Sequence, residues 1–256
     1  MNEEMLKNYY NKFNEDKRLN SRHGIVEFNT SIKYILEYLK HFDNPKILDL
    51  GAGTGKYSGY LAELNYDVTA VELVKHNYKY ITANYPKVKA FLGNALDLKK
   101  FSDESFDFII MFGPMYHLTS KDDKLKALAE AKRILKKDGI IMICYYMNDY
   151  AIIKHGFIDG FINEDDSFDE NYHVIDKETN LYSYYRLEDI DKLNKELKFK
   201  RINIFTQDLL TDYFRKEINK MDDETFNKYL DYVYKVSNRK ELIGIGSHVV
   251  DVVKKG

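Results

Sequence analysis

Between Asp49 and Glu72 the chain sets an acid, three glycines at alternate positions and a second acid, a pattern able to hold a ligand by bare backbone and by carboxylates. The segment reads Ile47-Leu48-Asp49-Leu50-Gly51-Ala52-Gly53-Thr54-Gly55. Its apolar start has the composition of a parallel strand buried on both faces. The close glycines let a turn bring main-chain atoms against whatever binds there. Tyr57, Tyr60, Leu61 and Leu64 follow at helical spacing. Strand, glycine turn and helix together open a nucleotide-binding α/β layer. Val68-Thr69-Ala70-Val71-Glu72 reads as a second buried strand whose terminal acid can accept both hydrogen bonds of a ribose diol. A dinucleotide turn asks for a small residue where this chain has Lys56, and the Glu72 charge opposes a 2′-phosphate. A nicotinamide dinucleotide is therefore disfavoured.

These residues resemble the class I S-adenosylmethionine-dependent methyltransferases. Asp49-Leu50-Gly51-Ala52-Gly53-Thr54-Gly55 is similar to that family's D/E-x-G-x-G-x-G motif, and Glu72 to its ribose-binding acid. Gly93-Asn94-Ala95 stands where the family usually has Gly-Asp-Ala, with Asn94 in place of the acid. Ser105–Phe112 resembles the fourth strand, and Lys132–Gly139 the helix and turn before a strand over Ile140–Tyr146. The resemblance runs in order from about residue 45 to 146. It implies a Rossmann-like α/β fold, a seven-stranded and mostly parallel sheet with helices on both faces.

It also implies S-adenosylmethionine as cofactor, S-adenosylhomocysteine as product, and a distribution of contacts. Gly51, Ala52, Gly53 and Gly55 admit the cofactor to the backbone, and Glu72 takes the ribose hydroxyls. Leu73 covers one adenine face, while Asn94 and Ala95 meet the adenine edge; an Asn carbonyl can still accept from the adenine amine. Met111 and Phe112 lie beneath the methionyl part. Asp49 either sits near the cofactor ammonium or caps the turn beneath the glycines. Tyr10 and Arg22 belong to an amino-terminal segment that related enzymes fold over the cofactor, though Tyr9 and Tyr10 serve equally as packing residues of a helix face.

Methyl transfer from a sulfonium is an in-line displacement that rests chiefly on alignment, so no catalytic triad is required; alignment alone supplies about 7–11 kcal/mol when geometry is near attack. The acceptor-side candidates are Tyr116 and His117, in Phe112-Gly113-Pro114-Met115-Tyr116-His117-Leu118, either of which can relay a proton. That loop is not the Asp/Asn-Pro-Pro-Tyr/Phe of methyltransferases acting on adenine or glutamine nitrogen. Cys144, followed by Tyr145, reads as core and not as a covalent nucleophile. Tyr145, Tyr146, Asn148 and Tyr150 are further pocket residues. Such a pocket, aromatic and lightly charged, suits a small apolar or phenolic acceptor. A protein or RNA acceptor, or binding without turnover, are the alternatives.

The elements that must position these residues follow from pattern. Residues 1–43 read as a helical cap, with Leu6, Tyr9, Tyr10 and Phe13 on one face and Ile32, Ile35, Leu36 and Leu39 on another, Thr30 or Ser31 serving as a cap. Residues 44–146 alternate strand and helix as a parallel core. Residues 147–256 complete it, with an acidic stretch at Glu164, Asp165, Asp166, Asp169 and Glu170 read as a solvated loop. A helix over Arg186–Leu197, a strand over Lys200–Phe205 and a closing strand over Ser247–Val253 are expected. The residues between the last two strands, about 206–246, read as a helical insertion over the substrate mouth or at a dimer contact.

The chain of 256 residues is 44% apolar, carries a net charge of −2 and has 22 tyrosines and one cysteine. That charge gives no reason to expect nucleic acid or anionic lipid. No apolar run approaches the ~20 residues that cross a bilayer, the start lacks the pattern of a signal peptide, and no metal set is evident. A lone cysteine suits a reducing compartment, so a cytoplasmic protein, with a homodimer as an option, is expected.

Overall fold

The computed structural model describes residues 3–10, 20–163 and 167–256. Phe13 and the acids Glu164, Asp165 and Asp166 lie outside the described residues. Helices α1 (Glu3–Tyr10) and α2 (Arg22–Leu39) precede strand β1 (Lys46–Leu50). Then come α3 (Lys56–Glu63), β2 (Asp67–Glu72), α4 (Lys75–Asn84), β3 (Lys89–Leu92), β4 (Phe106–Met111), α5 (Lys121–Ile134) and β5 (Leu135–Met147). After β5 a helical turn runs into a π-helical segment, Ala151–Ile158. The chain continues through β6 (Tyr184–Tyr185), α6 (Leu187–Leu197), β7 (Phe199–Thr206), α7 (Arg215–Lys220), α8 (Asp223–Val236) and β8 (His248–Lys255).

The sheet is mixed and mostly parallel, with strands in the order β3-β2-β1-β4-β5-β8-β7 and the two-residue β6 beside β5 as an eighth strand. The expected count of seven omitted β6. β8 is antiparallel to both its neighbours. Strand order reverses between β1 and β4, and ligands of open α/β sheets bind outside the carboxyl ends of the strands at that reversal. The glycine turn after β1, Glu72 at the end of β2 and Phe112 after β4 therefore all meet at one crevice.

Alternate residues of the central strands face opposite layers, as the two-residue period of a strand requires. Ile47, Phe108, Ile110, Phe112 and Met142 pack with Ile32, Ile35, Tyr57 and Leu61 of α2 and α3. Leu48, Leu50, Ile109, Met111, Ile141 and Ile143 pack with Leu128, Ala131 and Ile190 of α5 and α6. Both faces are dry, which is why these strands read as unbroken apolar runs. Cys144 is buried in the first layer.

Helix α2 begins at Arg22 because Ser21 accepts a hydrogen bond from Gly24 N, which corrects the expectation of a cap at Thr30 or Ser31; both lie buried within the helix. The expected insertion before the last strand divides in two. Its helix α8 rests against α2 through Phe226 and Val233, beside Val26, whereas residues 212–217 border a cavity described below. No helix among the described residues is long and apolar enough to cross a membrane.

Candidate active site

The turn after β1 is fastened to β2: Gly51 N and Ala52 N donate to Val71 O at 2.8 and 3.2 Å. Gly51 has φ of +77°, and a Cβ there would stand 2.7 Å from Pro114 Cδ, so the position admits only glycine. Gly53 has φ of +56° but nothing within 4 Å of where a Cβ would project, because the cleft opens there. Gly55 does not line the cleft; it caps α3 in the left-handed region against Ile81.

Glu72 forms part of the cleft floor at 5% exposure. Its Oε2 accepts from Gly53 N and its Oε1 from Val74 N, each at 2.7 Å. Burial pushes its pKa up to about 7 against the pull of these bonds and of Asn77. Asp49 lines the same cleft while Ser58 Oγ of α3 donates to it at 2.5 Å, so it both braces the helix and faces the ligand space. Burial raises it to about 6. Asn94 Oδ1 accepts from Leu96 N at 2.9 Å, closing its own turn at the cleft edge.

Of the residues singled out in the sequence, Tyr10, Asp49, Gly51, Ala52, Gly53, Glu72, Leu73, Asn94, Ala95, Phe112, Tyr116 and His117 line one cleft. Two do not. Met111 is fully buried on the α5–α6 side, since strand alternation sends it opposite to Phe112. Arg22 pairs with Asp223 of α8 at 2.7 Å and lies 4.7 Å above the Phe226 ring, away from the cleft. The cleft also contains Glu27, Thr54 and Asn77, which sequence reasoning missed. Thr54 lies inside the glycine motif and Asn77 in the first turn of α4, so proximity to the motif signals both; nothing local signals Glu27 on α2.

His117 is buried, and its Nδ1 contacts Leu181 O at 2.9 Å. A carbonyl can only accept, so Nδ1 carries the proton and Nε2 receives the Tyr10 hydroxyl, 2.9 Å away. Burial lowers the His117 pKa to about 4, keeping it a neutral orienting group. Tyr10 and Tyr116 are also walls of a second, adjoining cavity.

That second cavity is tyrosine-walled. Tyr9, Tyr146, Tyr150, Tyr182, Tyr184 and Tyr213 join Tyr10 and Tyr116 around it. Burial raises Tyr146, Tyr150 and Tyr184, the last to about 12, so all three stay neutral phenols near neutral pH. Its charges balance: Lys154 pairs with Asp159, Arg215 with both oxygens of Asp212 at 2.9 Å, and Lys216 and Glu217 add one charge of each sign. Behind Asp212, Asp208 accepts from Ser247 N at 3.0 Å and from the Ser247 hydroxyl, and lies 3.1 Å from His248 Nδ1. Ligand-type atoms of Asp208, Asp212 and His248 fall within 4.8 Å of one another, but the Arg215 guanidinium supplies the cation that this group needs. Sequence reasoning named Tyr116, Tyr146 and Tyr150 here but missed Asp208, Asp212, Arg215 and His248.

Comparisons with known proteins agree with this layout. Residues 48–143 match the methyltransferase domain family. The chain is 28% identical over 130 residues to the glycine/sarcosine N-methyltransferase of Aphanothece halophytica, covering 49% of each chain. It thus spans about half the length of the curated relatives it matches, or less. In fold it is similar to the PH0226 protein of Pyrococcus horikoshii, with a TM-score of 0.64 and 15% identity over 97% of this chain and 99% of that one. It is also similar to the 1,6-didemethyltoxoflavin-N1-methyltransferase of Burkholderia thailandensis, solved with its acceptor and S-adenosylhomocysteine, with a TM-score of 0.58 and 14% identity over 98% and 87% of the chains. Glycine turn, strand order and sequence match converge: residues 48–143 carry a match to the methyltransferase domain family, set within a Rossmann-like α/β fold.

Proposed function

We propose that the protein transfers a methyl group from S-adenosylmethionine to a small organic acceptor, the cofactor in the glycine-lined cleft and the acceptor in the tyrosine-walled cavity beside it. The observation that carries this reading is the buried Glu72 carboxylate at the strand-order reversal, gripped by Gly53 N and Val74 N. A carboxylate offers about four lone-pair sites, and what Gly53, Val74 and Asn77 do not occupy is open to the ribose diol. Two further features suit the cofactor: the space beyond Gly53, and the Thr54 hydroxyl, buried at the cleft wall with no hydrogen-bond partner among the described residues. Leu73 would cover the adenine, with Ala95 and Asn94 at its edge. Asp49 and Tyr10 would meet the amino-acid end.

When bound, the cofactor supplies a methyl carbon that is already electrophilic. The chain's residues then have three tasks: to orient the acceptor, to exclude water, and to take a proton where the acceptor carries one. His117 holds the Tyr10 hydroxyl, and Tyr10 with Tyr116 forms the partition across which the two reactants would meet. The cavity's neutral tyrosines and balanced charges support a small, weakly charged acceptor over an RNA.

The test is thermal unfolding with S-adenosylhomocysteine and, separately, with NAD. A ligand bound only by the native fold at 100 times its Kd adds about 2.7 kcal/mol of stability. Stabilisation by the thioether is expected; stabilisation by NAD alone would overturn the reading. Release of S-adenosylhomocysteine over a panel of small acceptors then separates turnover from binding without turnover.

A further inference from the structure

Building on the methyltransferase reading above, we propose that His248, steadied by Asp208, takes the proton from the attacking O–H or N–H of a flat, uncharged ring acceptor held in the tyrosine-walled cavity. His248 opens β8 and pairs in register with Tyr146 of β5. The two rings are stacked, 4.5 Å between centroids and 5° from parallel, so the imidazole lies face to face with the Tyr146 phenol. Its Nδ1 is engaged at 2.9 Å from Ser247 Oγ and 3.1 Å from Asp208 Oδ2. Nε2 has no protein hydrogen-bond partner among the described residues, and the ring forms part of the cavity wall. Asp208 thereby holds the proton on Nδ1 and leaves Nε2 as the acceptor atom, the same division of labour by which a buried carboxylate orients a catalytic imidazole elsewhere. His117 has the opposite arrangement, since its accepting nitrogen is committed to Tyr10.

Position agrees with this role. The His248 ring is 6.1 Å from the Tyr116 ring, which walls both cavities, so it lies one ring away from their junction. The groups facing it come from several elements: Asp208 and Asp212 from the connection after β7, Arg215 of α7, Glu27 of α2, and Tyr116 and Tyr146. Burial works against protonation of His248, but the surrounding carboxylates outweigh it and raise its pKa. The tyrosines that wall the cavity offer aromatic surface suited to a flat ring. In the reaction, the acceptor's oxygen or nitrogen bonds to the methyl carbon. The methyl–sulfur bond breaks with its pair left on sulfur, and the acceptor's proton passes to Nε2. The sulfonium's positive charge is thus exchanged for an imidazolium beside Asp208.

The experiment uses the whole chain with S-adenosylhomocysteine and 4-nitrophenol, whose phenolate alone absorbs strongly in the visible. Bound to the wild type, the probe should ionise about one pH unit lower than in water, a tenfold gain in phenolate. His248→Gln should abolish that shift while thioether affinity, read by calorimetry, is retained. Persistence of the shift in His248→Gln, or failure of the probe to bind, overturns this proposal and leaves the cofactor reading standing. Failure of the thioether to bind the wild type removes both. Should His248→Gln not fold, nitrogen NMR of histidine-labelled wild type decides: the Nε2 signal must move from imidazole to imidazolium when the probe is added above the His248 pKa, and an unmoved signal overturns the proposal. For any acceptor turned over, His248→Gln should lower kcat by about 10²- to 10⁴-fold. Asp208→Asn should move the acid limb of the rate profile to lower pH, which a purely structural residue would not do.

Discussion

The two cavities are made of different material. The glycine-lined cleft is built mainly from main chain at the ends of β1, β2 and β4, with Glu72 as its anchor, and most of its wall comes from residues 49–118. The tyrosine-walled cavity is built from long side chains drawn from α1, β5, the π-helical segment, β6, α7 and β8. The first has a shape that backbone dihedrals impose, whereas the second takes its shape from rings that happen to converge. A cavity of the first kind tolerates little substitution and fixes one ligand; one of the second kind can be re-cut for another acceptor without disturbing the fold.

The sharpest way to break that comparison is Glu72→Ala. Hydrogen bonds to a charged group are each worth about 1.5–3 kcal/mol, so losing two of them should weaken S-adenosylhomocysteine binding roughly 100-fold or more, measured by calorimetry. Unchanged affinity would mean that the ribose is not held there. Next come the glycines. Gly53→Ala should cost only the left-handed penalty of about 1–2 kcal/mol, because its Cβ meets nothing. Gly51→Ala adds a 2.7 Å contact with Pro114 and should lower Tm further. Equal losses would mean that the Pro114 side of the turn yields.

How much was legible follows from the same contrast. The glycine turn, Glu72 and the strand alternation could be read because each is local: a residue type at a fixed spacing is forced by a dihedral angle or a two-residue period. Met111 and Phe112 do not both face the cleft as the sequence reading has them, since one step of that period sends Met111 to the opposite layer. Arg22 was assigned to the cofactor from the resemblance, but its partner lies 201 residues away, a pairing that no local pattern encodes. Asp208, Arg215 and His248 were invisible for a related reason. They are joined only when β8 slots antiparallel between β5 and β7, and nothing in their spacing announces it. The short β6 was missed because two residues carry no period.

A smaller effect concerns pH. Burial raises Glu72 to about 7 from 4.5 and Asp49 to about 6 from 3.8. Both acids hold their protons more tightly folded than unfolded, so their contribution to stability is complete below the unfolded values and is lost as pH rises through about 6 and then 7. The free protein should therefore lose Tm between pH 5 and 8, with Glu72 contributing at most about 3 kcal/mol. Glu72→Gln should flatten that dependence, and a slope unchanged in the variant would assign it to other groups. Smallest of all is Arg22→Ala. Its partner Asp223 is 91% exposed, and exposed ion pairs contribute about 0–1 kcal/mol. The loss of Tm should be slight, and thioether affinity should stay at the wild-type value if Arg22 belongs to neither cavity.

Tyr10 and Tyr116 are walls held in common, so two ligands filling the cleft and the cavity together would touch the same two rings. Linkage then fixes a symmetry: whatever factor the thioether applies to the acceptor's affinity, the acceptor applies to the thioether's. A substitution at either ring would alter that shared factor, and a pair of titrations run in opposite order would return the same number.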